Sequence, residues 1–436
     1  MAGLLLTCGY IVLFLLLIGR LRFFAVPELG RRTIQVLFLL KVAAGTALWW
    51  VYTYHYTDRS TADIFKFFDD GNVMFSALPA HPLDFLRMIT GIGNDNPYFT
   101  DHYYSVMNNW HRRYDTGYYN DAHTMIRYSA LVRLFSFGVF HVHTVFSAFL
   151  CLLGLLALYK AFIGFVPGMG RLFAAGIFLW PSMLFWASGP IKETLLFLGL
   201  GLFLLQFFRA MRMPLGLGGW ALMLFGLLIQ LGLKSYVLAC MLPGLAAWWW
   251  CSRTPGRSVL LKFTITHAAA ALLIVALSMV SPSLDLVALV QRKQHDMLGL
   301  VSLTGPGSFI PTAEMQPGIA GLMRQVPHAL YLTFIAPFTM WHVGPLGLVG
   351  ALENALLLLL FPLALAFARP WREVDLPLLL YCLSFCLLLG LLIGWTTPVV
   401  GALMRYRVPL LPFWALASLL IVGPKRIPGW LTSERP

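Results

Sequence analysis

Three carboxylates stand close together in the segment Thr61–Leu78, which reads TADIFKFFDDGNVMFSAL. They are Asp63 and the adjacent pair Asp69 and Asp70. A carboxylate beside a hydroxyl group can accept its proton or orient it for attack, so these residues are candidates for general-base chemistry. The same carboxylates would also solvate a loop or begin a helix, and the sequence leaves both interpretations open.

A second set of candidate residues is basic and occurs in three separate phrases. The set comprises Lys192 with its neighbour Glu193 in SGPIKE, then Lys234, and finally the triplet Arg405, Tyr406 and Arg407. Lysine binds a phosphate as a point charge and arginine binds it through two parallel N–H groups, so the set predicts a phosphate or pyrophosphate site. We expect Glu193 to fix the position of Lys192. The alternative is that each cation extends from a helix end to the lipid headgroups.

Glu353 lies several residues into an apolar run, followed by Asn354. A carboxylate within a membrane is a functional candidate, and its simplest partner is one of the cations above. We therefore place Glu353 among the candidate substrate-binding residues. A structural ion pair between helices is the alternative.

The stretch around residues 95–128 is rich in Tyr, Asn, Asp, His and Trp. Aromatic faces beside such polar groups suit a sugar, so His123 and Arg127 are further candidate substrate-binding residues. The aromatic residues would otherwise form a small core of the loop itself. Asp69, Asp70 and His123 could also hold a divalent metal ion, although no ligand spacing here is diagnostic.

The elements that must position these residues are membrane helices. The chain has 436 residues, of which 59% are hydrophobic and only 11% are charged. The net charge of +13 comes from basic residues at the ends of apolar runs, which is the pattern of a membrane protein and argues against nucleic acid as a partner. The six cysteines all fall inside apolar runs and indicate no disulfide framework.

The apolar runs predict an all-α polytopic membrane protein of about eleven spans, forming a single domain over residues 1–436. The predicted spans are Gly3–Ile18, Thr33–Tyr54, Thr144–Phe165, Leu172–Ala187, Thr194–Phe208, Trp220–Leu233, Tyr236–Trp250, Leu260–Val280, Leu346–Phe367, Leu376–Trp395 and Val408–Val422. The placement of arginine and lysine predicts that the first span is an uncleaved anchor, with the N-terminus outside and the C-terminus inside. The candidate residues then share the outer face.

Two segments are long enough to form external structure. The first, His55–His143, carries the acidic motif, and its aromatic content predicts that it is folded. Within it, Met125–Phe140 has apolar residues at helical spacing and predicts an amphipathic helix on the membrane surface. The second external segment is Ser281–Pro345.

The acidic motif FFDDGNVMFSAL resembles that of the GT-C superfamily of membrane glycosyltransferases, in which an acidic residue or pair occupies the first large external loop. The phrases LWPSMLFWASGPIKE and RYRVPLLPF also resemble segments of uncharacterised bacterial members. The resemblance implies a GT-C-like fold and inverting sugar transfer from a polyprenyl-phosphate or pyrophosphate donor. One departure is an extra N-terminal span before the acidic loop.

The resemblance also implies roles, partners and a location. Asp70 would be the base, with Asp69 or Asp63 orienting it or the acceptor, which would be a glycan, a lipid or a protein. Lys192, Lys234, Arg405 and Arg407 would hold the donor phosphate. The protein would lie among membrane lipids in the cytoplasmic membrane of a bacterium, with its site on the outer side, where it would serve polysaccharide biosynthesis of the cell envelope.

Two other functions remain open from the sequence. A polysaccharide polymerase or ligase would share lipid-pyrophosphate substrates, but its essential arginines and histidines would lie in later external loops. A transporter of lipid-linked substrates would show internal repeats and polar residues at the bilayer midplane. The sequence has no convincing repeat, and its polar residues collect at one face.

Overall fold

The structure, a computed structural model, describes residues 1–26, 28–56, 58–111, 119–256 and 258–426. Residues 112–118 of the predicted external loop therefore lie outside the described residues. Within the described ranges the chain is helical, with short 3-10 turns and three isolated β-bridges but no strand. The predicted all-α class is confirmed for these residues.

The α-helices are numbered here in chain order. The first eleven are α1 Ala2–Arg20, α2 Arg31–Tyr54, α3 Asp63–Ala80, α4 Pro82–Thr90, α5 Pro97–His102, α6 Ala122–Ser136, α7 Phe140–Phe162, α8 Gly170–Phe178, α9 Pro181–Trp186, α10 Lys192–Ala210 and α11 Leu217–Leu233. The remainder are α12 Ser235–Arg253, α13 Val259–Val280, α14 Leu286–Thr304, α15 Gly318–Arg324, α16 Val326–Phe334, α17 Ala336–Thr339, α18 Gly344–Ala366, α19 Leu376–Thr396, α20 Val400–Tyr406 and α21 Leu411–Ile421.

Seven helices of the described chain are long and apolar enough to cross a membrane, which is compatible with a multi-pass membrane protein. They are α1, α2, α7 (extended by a 3-10 turn), α10, α13, α18 and α19. Helix α11 and the stretch Val408–Ile421 are apolar but shorter. The predicted count of about eleven stays a prediction.

One predicted span differs in form from the structure. The run Leu172–Ala187 contains two short helices, α8 and α9, in place of one span. The break falls just before Pro181, because proline has no N–H to donate and disfavours helical geometry in the residue that precedes it.

The chain divides into two compact units, and the predicted single polytopic domain stays a prediction. The first unit contains Met1–Ala161 and Met183–Ser235, and the second contains Phe162–Ser182 and Tyr236–Pro436, described as far as residue 426. In the first unit α10 packs closely on two neighbours. A side chain at Gly201 would collide with the backbone of Gly154 on α7, and one at Gly199 would lie 2.9 Å from the carbonyl oxygen of Gly226 on α11.

The predicted external loop His55–His143 is folded in its described parts, as the sequence indicated. Helices α3 to α6 enclose a core that includes Phe67, Met74, Phe99 and Met125. The predicted amphipathic helix is α6, which begins and ends three to four residues earlier than expected. The helix ends at Ser136, and the next residue, Phe137, has a left-handed φ of 48°. Its buried face packs on α3.

In the second unit, α19 packs against α14, α16 and α21. The predicted external segment Ser281–Pro345 contains α14 to α17. Between α14 and α15 the chain runs beside the turn that precedes α20. There Ile310 N–H donates to the carbonyl of Pro398 at 2.9 Å, and Val400 N–H donates to the carbonyl of Ser308 at 3.0 Å.

Candidate functional site

Helix α3 positions the acidic motif. Its buried residues include Ile64, Phe67, Gly71 and Met74, which recur every three to four residues and form one apolar face. The face packs against α6 at a close crossing, where a side chain at Gly71 would lie 2.5 Å from Cβ of Ser129. The close crossing therefore requires glycine directly after the acidic pair. The packing of α3 on α6 also determines which of the two carboxylates is buried.

Asp70 is fully buried, and both of its carboxylate oxygens accept hydrogen bonds. Oδ1 accepts from the backbone N–H of Asn108 at 2.7 Å, and Oδ2 accepts from that of Asn109 at 2.8 Å. Burial raises the pKa of Asp70 above its ordinary value, and the two backbone N–H groups oppose that rise. The observed geometry makes Asp70 the anchor of the segment that begins at Asn108.

The segment held by Asp70 is fixed from its other side as well. The side-chain amide of Asn120 donates to the carbonyls of Asn109 and Trp110, each at 3.0 Å. A ring nitrogen of His123 lies 2.8 Å from the carbonyl oxygen of Trp110. Hydrogen bonds from both sides therefore give this short loop a defined position against α3.

Trp110 lies in the core of the loop. Its ring stacks on Tyr104 with centroids 4.0 Å apart and on His123 with centroids 3.8 Å apart. The residue is only 7% exposed, so little of its ring is accessible to a sugar. Arg127 lies over Trp110 and donates to the carbonyl of Met88 at 2.8 Å. His123 and Arg127 thus help to build the loop, and their contact with a substrate stays a prediction.

Asp69 has a different environment from its neighbour. Its carboxylate accepts two hydrogen bonds from the guanidinium of Arg59, at 3.0 Å and 2.6 Å. The pair is open to solvent, with 36% of the Asp69 side chain and 53% of the Arg59 side chain exposed. Arg59 also lies 4.2 Å over the ring of Phe65. Asp69 is therefore the carboxylate of the pair that a substrate can reach.

Asp63, the third carboxylate, is in the first turn of α3, where a negative charge favours the helix dipole. It is partly buried. This position matches the helix-beginning role that the sequence left open, and a catalytic role for Asp63 stays a prediction.

Lys192 is the first residue of α10 and forms an ion pair of 2.9 Å with Asp121. Both side chains are partly exposed, at 18% and 25%. The lysine also lies 5.6 Å from the ring centroid of Phe67 on α3. Asp121 follows Asn120, whose amide holds the loop that Asp70 anchors. A continuous set of contacts therefore joins the acidic motif to Lys192.

Glu193 and Lys234 form a buried ion pair in the first unit. The distance from Lys234 Nζ to Glu193 Oε1 is 2.7 Å, and the two side chains are 4% and 0% exposed. The pair links the beginning of α10 to the residue that ends α11. We expected Glu193 to fix Lys192. The ion pairs instead join Glu193 to Lys234 and Lys192 to Asp121.

In the second unit Arg407 is fully buried and forms the ion pair that the sequence predicted for Glu353. Its Nη2 lies 3.1 Å from Glu353 Oε1. Its Nη1 donates to the carbonyl of Thr333 at 3.1 Å and to the side chain of Asn354 at 2.5 Å. Glu353 also accepts from the backbone N–H of Ser182 at 2.6 Å. This network joins α9, α16, α18 and the end of α20.

Arg405 and Tyr406 are partly exposed, in contrast to Arg407. On a helix, residues two apart point in directions about 200° apart, which accounts for the different environments of the two arginines. Of the triplet, Arg405 and Tyr406 are the residues accessible to a ligand. Binding of a phosphate by any of the three stays a prediction.

No group of three or more His, Cys, Asp and Glu side chains in the described residues is placed to hold a metal ion. Asp70 is bonded to backbone N–H groups, Asp69 to Arg59, and His123 to a carbonyl oxygen. The possible divalent metal at these residues stays a prediction.

Sequence reasoning missed the partners of the predicted residues. They are Arg59, Asn108, Asn109, Asn120 and Asp121. Some signal existed, because lysines near a membrane need a carboxylate or another anion nearby, and nine of the 18 acidic residues, Asp121 among them, lie in this loop. Asn108 and Asn109 act through backbone N–H groups, which side-chain types do not reveal.

Comparisons with known proteins identify no relative of this chain. No protein-family model matches it, and neither a curated protein nor a solved structure matches it.

Proposed function

We propose that the protein is a membrane glycosyltransferase that moves a sugar from a polyprenyl-phosphate or pyrophosphate donor to a hydroxyl acceptor. The observation that carries the proposal is the arrangement in the first unit. A reachable carboxylate, Asp69, adjoins a fixed loop, and that loop is joined by contacts to the partly exposed Lys192. A base and a phosphate-binding cation are the groups that such a transfer needs.

We assign the role of general base to Asp69. Sequence reasoning favoured Asp70, but that residue is fully buried, so an acceptor hydroxyl does not reach it in this structure. Asp69 is one residue away and retains exposure. Arg59, through its two parallel hydrogen bonds, holds the Asp69 carboxylate in one orientation.

The proposed reaction is a direct displacement. Asp69 accepts the proton of the acceptor hydroxyl, whose oxygen forms a bond to the anomeric carbon of the donor sugar. The bond from that carbon to the phosphate oxygen breaks, and its electron pair stays on the phosphate. The attack and the departure occur on opposite faces, so the configuration inverts.

Lys192 supplies charge to the departing phosphate. It is paired with Asp121 in the structure, and both side chains keep some exposure. An incoming phosphate can therefore share Lys192 with Asp121 or replace it as the partner. Lys192 is also the first residue of α10, and the dipole of a helix favours an anion at that end.

We place the site on the outer side of a bacterial cytoplasmic membrane that the chain crosses about eleven times. The basic pairs Arg20/Arg22, Arg209/Arg212 and Arg369/Arg372 support this orientation, because loops rich in lysine and arginine stay in the cytoplasm.

The test uses purified protein in detergent with a panel of polyprenyl-phosphate-linked and pyrophosphate-linked sugars. We expect at least one donor to lose its sugar and release the polyprenyl phosphate or pyrophosphate. Lys192→Ala should weaken the binding of polyprenyl phosphate, because that probe contains the group that the lysine contacts. Lys66 is a partly buried lysine of α3 in the same loop and provides the matched control Lys66→Ala.

The proposal fails if the wild-type protein neither binds polyprenyl phosphate nor consumes any donor in the panel. It also fails if Lys192→Ala and Lys66→Ala bind polyprenyl phosphate equally well.

A further inference from the structure

A surface outside the acidic motif combines strong positive charge with a pocket. It lies where α1 ends and α2 begins. Four arginines meet there and all are exposed, namely Arg20, Arg22, Arg31 and Arg32. We call these four residues, with the described residues 21, 23–26 and 28–30 of the connection between them, the α1–α2 basic surface.

The α1–α2 basic surface has a defined structure. Phe24 and Leu29 are buried in the connection between the two helices. Arg31 donates to the carbonyl of Gly19, one of the orphan carbonyls at the end of α1. One turn further on, Gln35 donates to the carbonyl of Leu15 at 3.0 Å. The two helix ends are therefore held together, and the arginines project from a fixed base.

This surface keeps a net positive charge, because within residues 20–32 four arginines stand against one carboxylate, that of Glu28. Within the described residues, none of the four arginines forms an ion pair. The nearest acid along the chain, Glu28, accepts a hydrogen bond of 3.0 Å from Tyr159. Lys160 adds a further cation, since its Nζ lies 4.2 Å over the ring of Phe23 in the same connection. An anion is the missing partner.

A shallow pocket of about 320 Å³ opens beside these charges. Ala25, Val26, Leu29 and Arg31 line it, so its wall is apolar apart from one guanidinium. A free inorganic anion gains no binding energy from contact with an apolar wall. A phospholipid does, because its acyl chains begin a short distance from its phosphate.

We propose that the α1–α2 basic surface binds the headgroup of an anionic phospholipid, with the start of an acyl chain in the pocket. Arg22 and Arg32 contact the phosphate, and Arg31 stays bound to Gly19 beside it. Both α1 and α2 are long and apolar enough to cross a membrane, so their adjoining ends lie at headgroup depth. Basic side chains at that depth attract anionic lipid with about 1 kcal/mol each.

The test measures lipid binding by native mass spectrometry, with phosphatidylglycerol as the anionic probe and phosphatidylcholine as the neutral one. Wild-type protein should retain phosphatidylglycerol in preference to phosphatidylcholine. The double variant Arg22→Gln/Arg32→Gln should bind phosphatidylglycerol about 30-fold more weakly, which corresponds to two arginines at about 1 kcal/mol each.

The chain offers a matched control. Arg209 and Arg212 are exposed arginines at the end of α10, another helix apolar enough to cross a membrane. Arg209→Gln/Arg212→Gln removes the same charge and should leave phosphatidylglycerol affinity within about threefold of wild type. Equal losses from the two double variants would overturn the proposal, because the binding would then reflect net charge alone.

Two further arms separate a lipid site from a simple anion site and from misfolding. Ala25→Trp fills the pocket and should lower phosphatidylglycerol affinity while all the arginines stay in place. Arg22→Lys/Arg32→Lys keeps the charge and should retain most of the affinity, which shows that a weak glutamine variant is not merely unfolded. Two results would contradict the assignment to a lipid. One is that the protein binds inorganic phosphate as tightly as phosphatidylglycerol, and the other is that Ala25→Trp keeps the wild-type affinity for phosphatidylglycerol.

Discussion

The carboxylate of Asp70 on α3 accepts a hydrogen bond of 2.8 Å from the backbone N–H of Asn109, which lies 39 residues further along the chain. A second bond from the N–H of Asn108 uses the other oxygen. One buried side chain therefore joins α3 to the loop whose far side is held by Asn120. The two acidic neighbours divide their roles, since Asp70 holds the loop and Asp69 stays open to solvent.

Asp70→Asn should destabilise the protein. An amide offers one acceptor oxygen, so its NH2 group would face the N–H of either Asn108 or Asn109, donor against donor. An unsatisfied buried donor costs about 1–3 kcal/mol, and the midpoint of thermal unfolding in detergent should fall accordingly. Asp69→Asn is the matched control, because an exposed ion pair contributes only about 0–1 kcal/mol. An Asp70→Asn protein that unfolds at the wild-type temperature would show that the two backbone bonds do not anchor the loop.

The buried pair of Glu193 and Lys234 should show strong coupling. Removing one partner leaves the other charge buried, which costs about 3–5 kcal/mol, whereas replacing both removes that penalty. We expect Glu193→Gln and Lys234→Met each to lower stability, and the double variant to lose less than the sum of the two. Thermal unfolding of the four proteins completes the cycle. Strictly additive losses would mean that the 2.7 Å contact carries no coupling energy.

Arg407→Lys should lower the stability of the protein, although it keeps the positive charge. The guanidinium reaches Glu353, Asn354 and the carbonyl of Thr333 at the same time, and lysine cannot reproduce that planar geometry. Lysine keeps the charge and loses part of the hydrogen bonding, so the expected loss of stability is about 1.5–3 kcal/mol, the contribution of a hydrogen bond to a charged group. Arg405→Lys is the neighbouring control and should unfold near the wild-type temperature, since Arg405 is partly exposed. Equal stability of the two variants would contradict a structural role for Arg407.

Much of the helical framework was predictable because apolar runs report membrane-length helices directly. The predicted span Thr33–Tyr54 matches α2 within two residues, since arginines precede the run and polar residues follow its terminal aromatic cluster. The break between α8 and α9 was missed, although Pro181 marks it. An apolar proline inside an apolar run does not alter the hydropathy from which the span was predicted.

The candidate site was predictable in its residue types but less so in its pairings. A partner for Glu353 among the cations was foreseen, and Arg407 provides it. The division between Asp69 and Asp70 was not, because adjacent residues in a helix point about 100° apart and only the packing of α3 on α6 decides which one is buried. Partners such as Asn108 were not predictable from residue types, because they donate through the backbone N–H.

The membrane orientation predicts distinct labelling patterns. In a protein whose native cysteines are replaced by alanine, Ser105→Cys and Ser302→Cys should react with an impermeant thiol reagent added to intact cells. Both serines are exposed and belong to the two segments predicted to be external. Ser252→Cys, at the end of α12, should react only after the membrane is disrupted. The reverse pattern would mean that the chain is inserted with the opposite orientation.

The measurement that tests the central claim most directly is sugar transfer by Asp69→Asn, with the donor that the wild-type protein uses. Loss of the proton acceptor should lower the rate of transfer by about 10²–10⁴-fold, while binding of polyprenyl phosphate and thermal stability stay close to wild type. Asp101→Asn, which changes an exposed carboxylate of α5 in the same loop, should transfer at the wild-type rate. If Asp69→Asn transfers sugar as fast as Asp101→Asn does, Asp69 is not the base and the proposed mechanism is wrong.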